Sequence, residues 1–405
     1  MSIQKTGSFQ GMKSLNRSII LNSIRVHGMI SRSEIAKETR LTPPTVTNIV
    51  AELILANLVV ERRPGTSNGG RKPILLAINA DSRFIIGVDV GVKKVRLALT
   101  NLNAEVSMRR TEELPSGLNE GGFLLFLKEI VSKFKQEIEK GVQEKIIGIG
   151  VAMHGIVDHT SGIAIHAPTL KLENVPVKEA LEETFSLPVR VENDAKALAL
   201  GEKWFGVGKD MDHFFCLNVG EGIGGGLVQS GQLVHGNDSL AGEIGHTVVD
   251  LRGPVCSCGN RGCLEAFSSG NALKFKGKQL MNAGKAPKLT EKLRETLSPI
   301  SGKIIYECAV EGDTVSREIL EEAGEYLGIG ILNLIHLINP QMIILGGGVS
   351  QASNFLLKPI NEVVSARALS DRAKKTEIVV SKLGEEGSLI GAVTLVLSEL
   401  FSHEY

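Results

Sequence analysis

Along residues 16–27 apolar side chains recur at Ile19, Ile20, Ile24 and, more loosely, Val26, the spacing of a helix with one buried face, and Gly28 ends the pattern. Ser31 stands three residues before Glu34, the signature of a capping box, and predicts a second short helix from Arg32 to about Arg40 that buries Ile35 and Ala36. Thr42-Pro43-Pro44 reads as another cap followed by prolines tolerated in a first turn. The helix it opens extends to about Ala56, with Val46, Ile49, Val50 and Leu53 facing inward. The patterning then switches to strands at 58–62 and 73–78, with the glycine-rich basic stretch 63–72 as the tip between them.

Beyond residue 80, buried strands alternate with amphipathic helices, which predicts an α/β architecture. Residues 84–91 form a buried strand ending in an acid and a glycine, and 95–100 and 105–109 continue it as a meander. A helix over about 122–140 and a strand over 146–152 follow. A strand over 189–192 then leads through Glu192-Asn193-Asp194 into a helix from Ala195 to Trp204. Residues 214–226 repeat the strand-into-glycine pattern, as though two similar lobes had been joined, and 342–350 repeat it again. The predicted division is a front module at 1–80, a first lobe at 81–195 and a second lobe at 196–405, whose last helix packs back on the first lobe.

The 405 residues are enough for two or three domains with proper cores, and 42% hydrophobic with 22% charged content is that of an ordinary soluble protein. The most apolar run, 329–345, is broken by Asn333, His336, Asn339 and Pro340, which points to a cytoplasmic protein with no membrane partner. A net charge of zero hides a split. Residues 1–80 carry eleven Lys and Arg against four acids, leaving 34 against 41 in the remainder. A basic front end predicts a polyanionic partner. Combined with three short helices and a basic hairpin, it predicts a winged helix-turn-helix that sets its second motif helix in the major groove of DNA. Candidate DNA contacts are Arg32, Thr42, Thr45, Thr47 and Asn48 on the helices and Arg62, Arg63, Arg71 and Lys72 on the wing. A small docking or dimerisation module is the alternative use of the same pattern.

Between Gly242 and Glu265 the chain holds His246, Cys256, Cys258 and Cys263, with glycines at 259 and 262. Three thiolates and an imidazole complete a tetrahedral zinc shell, and the glycines let closely spaced ligands converge. Glu243 and Glu265 flank the set, although a closed zinc site needs neither. A structural zinc would therefore fix an acidic, hydrogen-bonding pocket, which points to a polyhydroxy ligand. An odd count of five cysteines, with no signal-like N-terminus, argues against disulfides. Cys216 and Cys308 read as isolated core thiols.

These motifs together resemble the ROK family (repressors, open reading frames and kinases) over essentially the whole chain, in its transcription-factor branch. Within that branch the chain is similar to the xylose repressors of Gram-positive bacteria. The residues that carry the resemblance are 31–53 with Asn68-Gly69-Gly70-Arg71-Lys72-Pro73 at the front, and Glu192-Asn193-Asp194-Ala195, 242–246 and 256–265 in the body. The resemblance implies a two-lobed, actin-like body of the sugar-kinase type and a homodimer or homotetramer on operator DNA. It also implies a sugar site made by Asn193, Asp194, Glu243, His246 and Glu265, in which Asp194 matches the general base of the kinases. An alternative use of Asn193 and Asp194 is to cap the helix that begins at Ala195.

The phosphate side departs from the kinase pattern. Where kinases carry Asp-x-Gly-Gly-Thr, this chain reads Asp89-Val90-Gly91-Val92-Lys93. Where they carry Gly-Thr-Gly, it reads Gly220-Glu221-Gly222, placing a carboxylate where ATP phosphates would lie and repel it. Gly346-Gly347-Gly348 is kept, and His154 replaces the usual proline before Gly155. The expectation is sugar binding without ATP turnover, with Asp194 a vestigial base and no catalytic residue. The chain then reads as a repressor released from its operator by sugar. A sugar kinase with a DNA-binding appendage is the rival, and a body that docks a protein partner is the third reading.

Overall fold

The computed structural model describes residues 9–64 and 73–401, with side chains from Met12 onward except those of Arg63 and Pro64. The expected wing tip, including Arg71 and Lys72, lies outside the described residues, as does the Arg63 side chain. The N-terminal module contains α1 (Phe9–His27), β1 (Ile30–Ser31), α2 (Arg32–Thr39), α3 (Pro43–Leu55), β2 (Val59–Pro64) and β3 (Ile74–Ile78). Its antiparallel sheet has the order β1-β3-β2. The capping box on α2 is present: Ser31 Oγ accepts from the Glu34 amide at 3.3 Å, and the Ser31 amide donates to Glu34 Oε2 at 2.9 Å. α1 begins at Phe9 rather than Asn16. Met12 and Leu15 are 53% and 43% exposed, so its first turns carry no buried periodicity to read.

The first lobe contains β4 (Phe84–Val90), β5 (Lys94–Asn101), β6 (Val106–Glu113), α4 (Glu120–Glu137), α5 (Lys140–Gln143) and β7 (Ile146–Met153). It continues with β8 (Ile156–Asp158), β9 (Ile163–Ala167), β10 (Leu172–Val175), α6 (Val177–Phe185) and β11 (Val189–Asn193), and α7 (Asp194–Phe205) then leads into the second lobe. The second contains β12 (Phe214–Val219), β13 (Ile223–Gln229), β14 (Gln232–Val234), α8 (Glu265–Ser268), α9 (Gly270–Asn282) and α10 (Pro287–Thr296). After these come α11 (Gly302–Val310), α12 (Thr314–Ile338), β15 (Met342–Gly346), α13 (Ser353–Arg367), β16 (Glu377–Val380) and α14 (Gly387–Phe401).

The two main sheets repeat one topology. In β11-β7-β4-β5-β6 and in β16-β15-β12-β13-β14, a three-stranded antiparallel meander is extended on its first strand by two parallel strands. The turns that follow β4, β7, β11 and β12 therefore gather at the strand ends bordering one cleft. Ligands in α/β sheets bind at such ends.

α14 crosses back from the second lobe to β4 and β7 of the first and packs along α7. The packing is backbone against backbone. A methyl group at Gly391 would meet the Ala197 carbonyl at 1.9 Å, and one at Gly150 would meet that of Ala392 at 1.8 Å. Farther along α14, Val393, Val396, Leu397 and Phe401 share one buried core with Ile20, Ile24, Val50 and Leu53 of the N-terminal module. The chain division near residue 80 is therefore not a division of the core. Among the described residues, no helix is long and apolar enough to cross a membrane.

Candidate functional site

The β11–α7 junction sets the centre of the cleft. Asn193 is the N-cap of α7: its Oδ1 accepts from the Ala195 and Lys196 amides at 3.0 and 3.1 Å. Its Nδ2 donates to the Gly155 carbonyl at 2.8 Å and to Asp194 Oδ1 at 3.2 Å. The capping reading of this residue holds, and its side-chain amide is fully engaged within the protein. Asp194 also accepts from the Ala195 amide at 2.8 Å and, from the second lobe, from Asn218 Nδ2 at 3.3 Å. Burial raises its pKa to about 6; His154 opposes the shift, while Asp89 and Glu243 add to it. Asn218 was not anticipated, because only the packing of α7 on β12 and β13 brings it beside Asp194.

Glu243 lies on the loop before a short 3-10 turn, Ile244–His246. Gly242 makes this placement possible: its φ is +96°, and a side chain there would meet the Gly225 carbonyl at 2.1 Å. Burial raises the Glu243 pKa, against the pull of His246 and Lys196. Lys196, 1% exposed, donates to the Ser239 carbonyl at 2.5 Å. Burial lowers its pKa, and Glu192 and Glu243 act in the opposite direction. A buried lysine supporting two acids is a part of the site that sequence patterning gave no sign of.

His246, Cys256, Cys258 and Cys263 converge as the zinc motif requires. Cys258 Sγ lies 3.8 Å from Cys263 Sγ, and Cys256 Sγ lies 3.7 Å from His246 Nδ1. Ligands held tetrahedrally at about 2.1–2.3 Å from zinc lie about 3.6–3.8 Å apart, so the donor set fits the ion. His246 faces the thiols with Nδ1, which leaves Nε2 free of the metal side. Gly262, at φ +73°, sits so close to the Asp250 carbonyl that a side chain would meet it at 1.6 Å. Glu265, in the first turn of α8, ties this loop to the second sheet: Oε1 accepts from Ser257 at 2.6 Å and Oε2 from the Ile223 amide at 3.0 Å.

A second cluster, His159, Glu192 and His235, has metal-ligand composition. Its geometry is that of one hydrogen-bonded His-Glu pair with a second imidazole stacked on the first. His235 Nε2 lies 2.7 Å from Glu192 Oε2, shorter than the roughly 3.0–3.4 Å separating two ligands of one ion. The two imidazoles stack at 3.6 Å and 11°, joining the β8–β9 turn of the first lobe to the segment after β14 in the second. Glu192 also accepts the Asn193 amide at 2.8 Å, so these contacts buttress the β11–α7 junction.

The loops after β4 and β12 carry a charge cluster that spans the cleft. Lys93 Nζ reaches across the cleft to Glu221 Oε1 at 3.4 Å, and Lys274 of α9 pairs with the other oxygen. Burial works against the Glu221 charge, yet the two ammoniums hold its pKa below the usual carboxylate range. Burial raises the Asp89 pKa, and Arg96 opposes it at 2.5 and 2.8 Å while donating to the Glu385 carbonyl at 2.5 Å.

On the N-terminal module, Thr47 and Asn48 are exposed on α3, and Arg62 is exposed on β2. Thr42 and Thr45 share a hydroxyl contact at 2.9 Å at the start of α3, and Thr47 donates to the Pro43 carbonyl at 2.8 Å. Arg32 pairs with Glu61 of β2 at 2.7 Å, tying α2 to the sheet. Arg40, exposed at φ +58° between α2 and α3, is a basic residue at the same end that the candidate set lacked.

The ROK family profile matches residues 85–399. A xylose repressor of Caldicellulosiruptor bescii is 35% identical over 398 residues, covering 98% of both chains. The DNA-binding transcriptional dual regulator NagC of Escherichia coli is 31% identical over 393 residues, covering 96% of this chain and 94% of that one. Among solved structures, a ROK family transcriptional regulator, a homologue of the Escherichia coli MLC protein, superposes with a TM-score of 0.84 at 28% identity. That match covers 96% of this chain and 97% of the other. A ROK family glucokinase from Streptomyces griseus, solved with glucose and AMPPNP, gives a TM-score of 0.69 at 30% identity over 77% of this chain and 98% of its own. The chain, with its paired lobes and its His-Cys cluster, belongs to the ROK family.

Proposed function

We propose that this protein is a sugar-responsive transcriptional repressor: a winged helix-turn-helix at residues 1–80 holds operator DNA, and sugar in the cleft releases it. The observation that carries the reading is the asymmetry of the cleft. Its sugar side keeps Asp194, Glu243, His246 and Glu265 in one acidic pocket, while its phosphate side is occupied by Glu221 with Lys93 and Lys274. Carboxylates accept from sugar hydroxyls, and a charged carboxylate beside ATP phosphates opposes their binding. Asn193, with its amide committed, positions Asp194 against the sugar. Zinc would be held by His246, Cys256, Cys258 and Cys263 and would fix His246 and the Glu265 loop, a structural contribution.

D-Xylose is the inducer we propose, since several relatives are named as xylose repressors. Thr47 and Asn48 of α3 with Arg62 of the wing would face the DNA, and a cytoplasmic dimer or tetramer would set two such helices on half-sites about one turn apart. Fluorescence anisotropy of zinc-replete protein on the DNA upstream of its own gene tests this, with D-xylose, D-glucose and N-acetylglucosamine titrated at fixed salt. Specific binding relieved by one sugar is expected. ATP consumption with these sugars, and no specific binding to DNA, would replace the reading with a sugar kinase.

A further inference from the structure

One helix, α7, joins the cleft to the N-terminal module. It begins at Asp194 in the cleft, capped by Asn193, and carries Trp204 in its last turn, roughly 15 Å away at 1.5 Å per residue. There the Arg25 guanidinium of α1 lies 3.8 Å over the Trp204 ring, with Phe401 of α14 edge-on to the same ring at 5.8 Å. Arg25 donates to Asn22 at 2.9 Å, and among the described residues no carboxylate pairs with it. Burial lowers its pKa to about 10, so it remains charged at neutral pH. Beyond the Asn22 bond it rests on the faces of Trp204 and Phe401, an interaction sensitive to the position of the rings.

α7 is also locked to α14 by the close Gly391–Ala197 approach, and Gly201 lies against Gly387 and Gly391. Two helices in backbone contact move as one body, because neither has side-chain space to absorb a shift. The pair carries both aromatic rings that face Arg25. α1 in turn packs on α2 and α3, which carry the proposed DNA face.

We propose that Arg25 and Trp204 are the positioning residues that couple the sugar site to the DNA-binding module, through α7 and α14 moving together. The inference rests on the repressor reading above. Sugar drawing Asp194 and Asn193 into the cleft displaces Trp204 and Phe401 beneath Arg25 and re-aims α1. Neither residue touches sugar or DNA, so losing their contact uncouples two intact sites.

Trp204 is the only tryptophan in the chain, so its emission reports the contact directly. In full-length wild-type protein, the sugar that releases the operator should change this emission at the concentration that half-releases DNA. Arg25→Gln should keep sugar affinity and sugar-free operator affinity near wild type. Its ratio of operator Kd with and without saturating sugar should fall from tenfold or more, about 1.4 kcal/mol of coupling, to less than about threefold. Trp204→Phe, which keeps a ring for folding, should reduce the same ratio less severely, and it supplies the answer should Arg25→Gln not fold. Wild-type ratios in the variants, or Trp204 emission indifferent to saturating sugar, overturn the coupling. Wild-type protein that is released by none of D-xylose, D-glucose and N-acetylglucosamine instead overturns the repressor reading, and the coupling with it.

Discussion

Asp194 is a carboxyl whose surroundings oppose its charge, with a pKa near 6 set first by burial. Because this lies above its ordinary value of 3.8, ionising it costs folded-state stability as the pH rises from about 4 through 6. A sugar hydroxyl donating to it needs the ionised form, which is present above pH 6 and lost below. Sugar affinity is therefore expected to fall by up to about tenfold per unit as the pH drops below 6. Calorimetric titration across that range checks this. Asp194→Asn should show a flat profile there, with sugar Kd raised about tenfold or more and operator affinity unchanged. A parallel pH slope in the variant would assign the titration elsewhere. The residue types at this site were readable in the sequence because Glu192-Asn193-Asp194 and Gly242–His246 are contiguous. The saturation of Asn193 by Gly155, 38 residues away, was not, and neither was Lys196 behind Glu192 and Glu243. Those are products of tertiary packing, which local order does not encode.

At the scale of elements, the most legible features were those closed by their own neighbours. Ser31 and Glu34 announce α2 because both hydrogen bonds of the box lie within one turn. Ser31→Ala removes one of them and should cost about 1 kcal/mol, read as a lower denaturation midpoint. The His-Cys loop was legible for the same reason, four possible metal ligands falling within residues 246–263. Cys258 is exposed, so replacing it removes a candidate ligand without opening the core. Cys258→Ser is expected to lose the metal in elemental analysis and to weaken sugar binding about tenfold or more, because Glu265 and Ser257 ride on that loop. Full sugar affinity in metal-free protein would separate the loop from the pocket. The strand β1, two residues long, left no pattern at all, since it is defined only by its pairing with β3.

For the whole molecule, the repeated sheet order was foreshadowed by the recurring strand-into-glycine pattern, but the shared core of module and body was not. Val393, Val396, Leu397 and Phe401 look like any apolar helix face, and nothing in their spacing names α1 as the neighbour. The packing predicts one cooperative unfolding transition rather than two. Leu397→Ala should cost about 2–5 kcal/mol and lower a single calorimetric peak, carrying the N-terminal module with it. A separate peak for the module, unmoved by the substitution, would show that the shared core is energetically divided.

The placement of α14 also bears on how such regulators can be recombined. An N-terminal module transplanted onto another sugar sensor by joining chains near residue 80 would arrive without its last packing partner, which is supplied by residues 387–401. Hybrids that exchange residues 387–401 along with the front module should be the ones that still answer to sugar. Fusions appended after Phe401 would crowd the place where Arg25 and Trp204 meet.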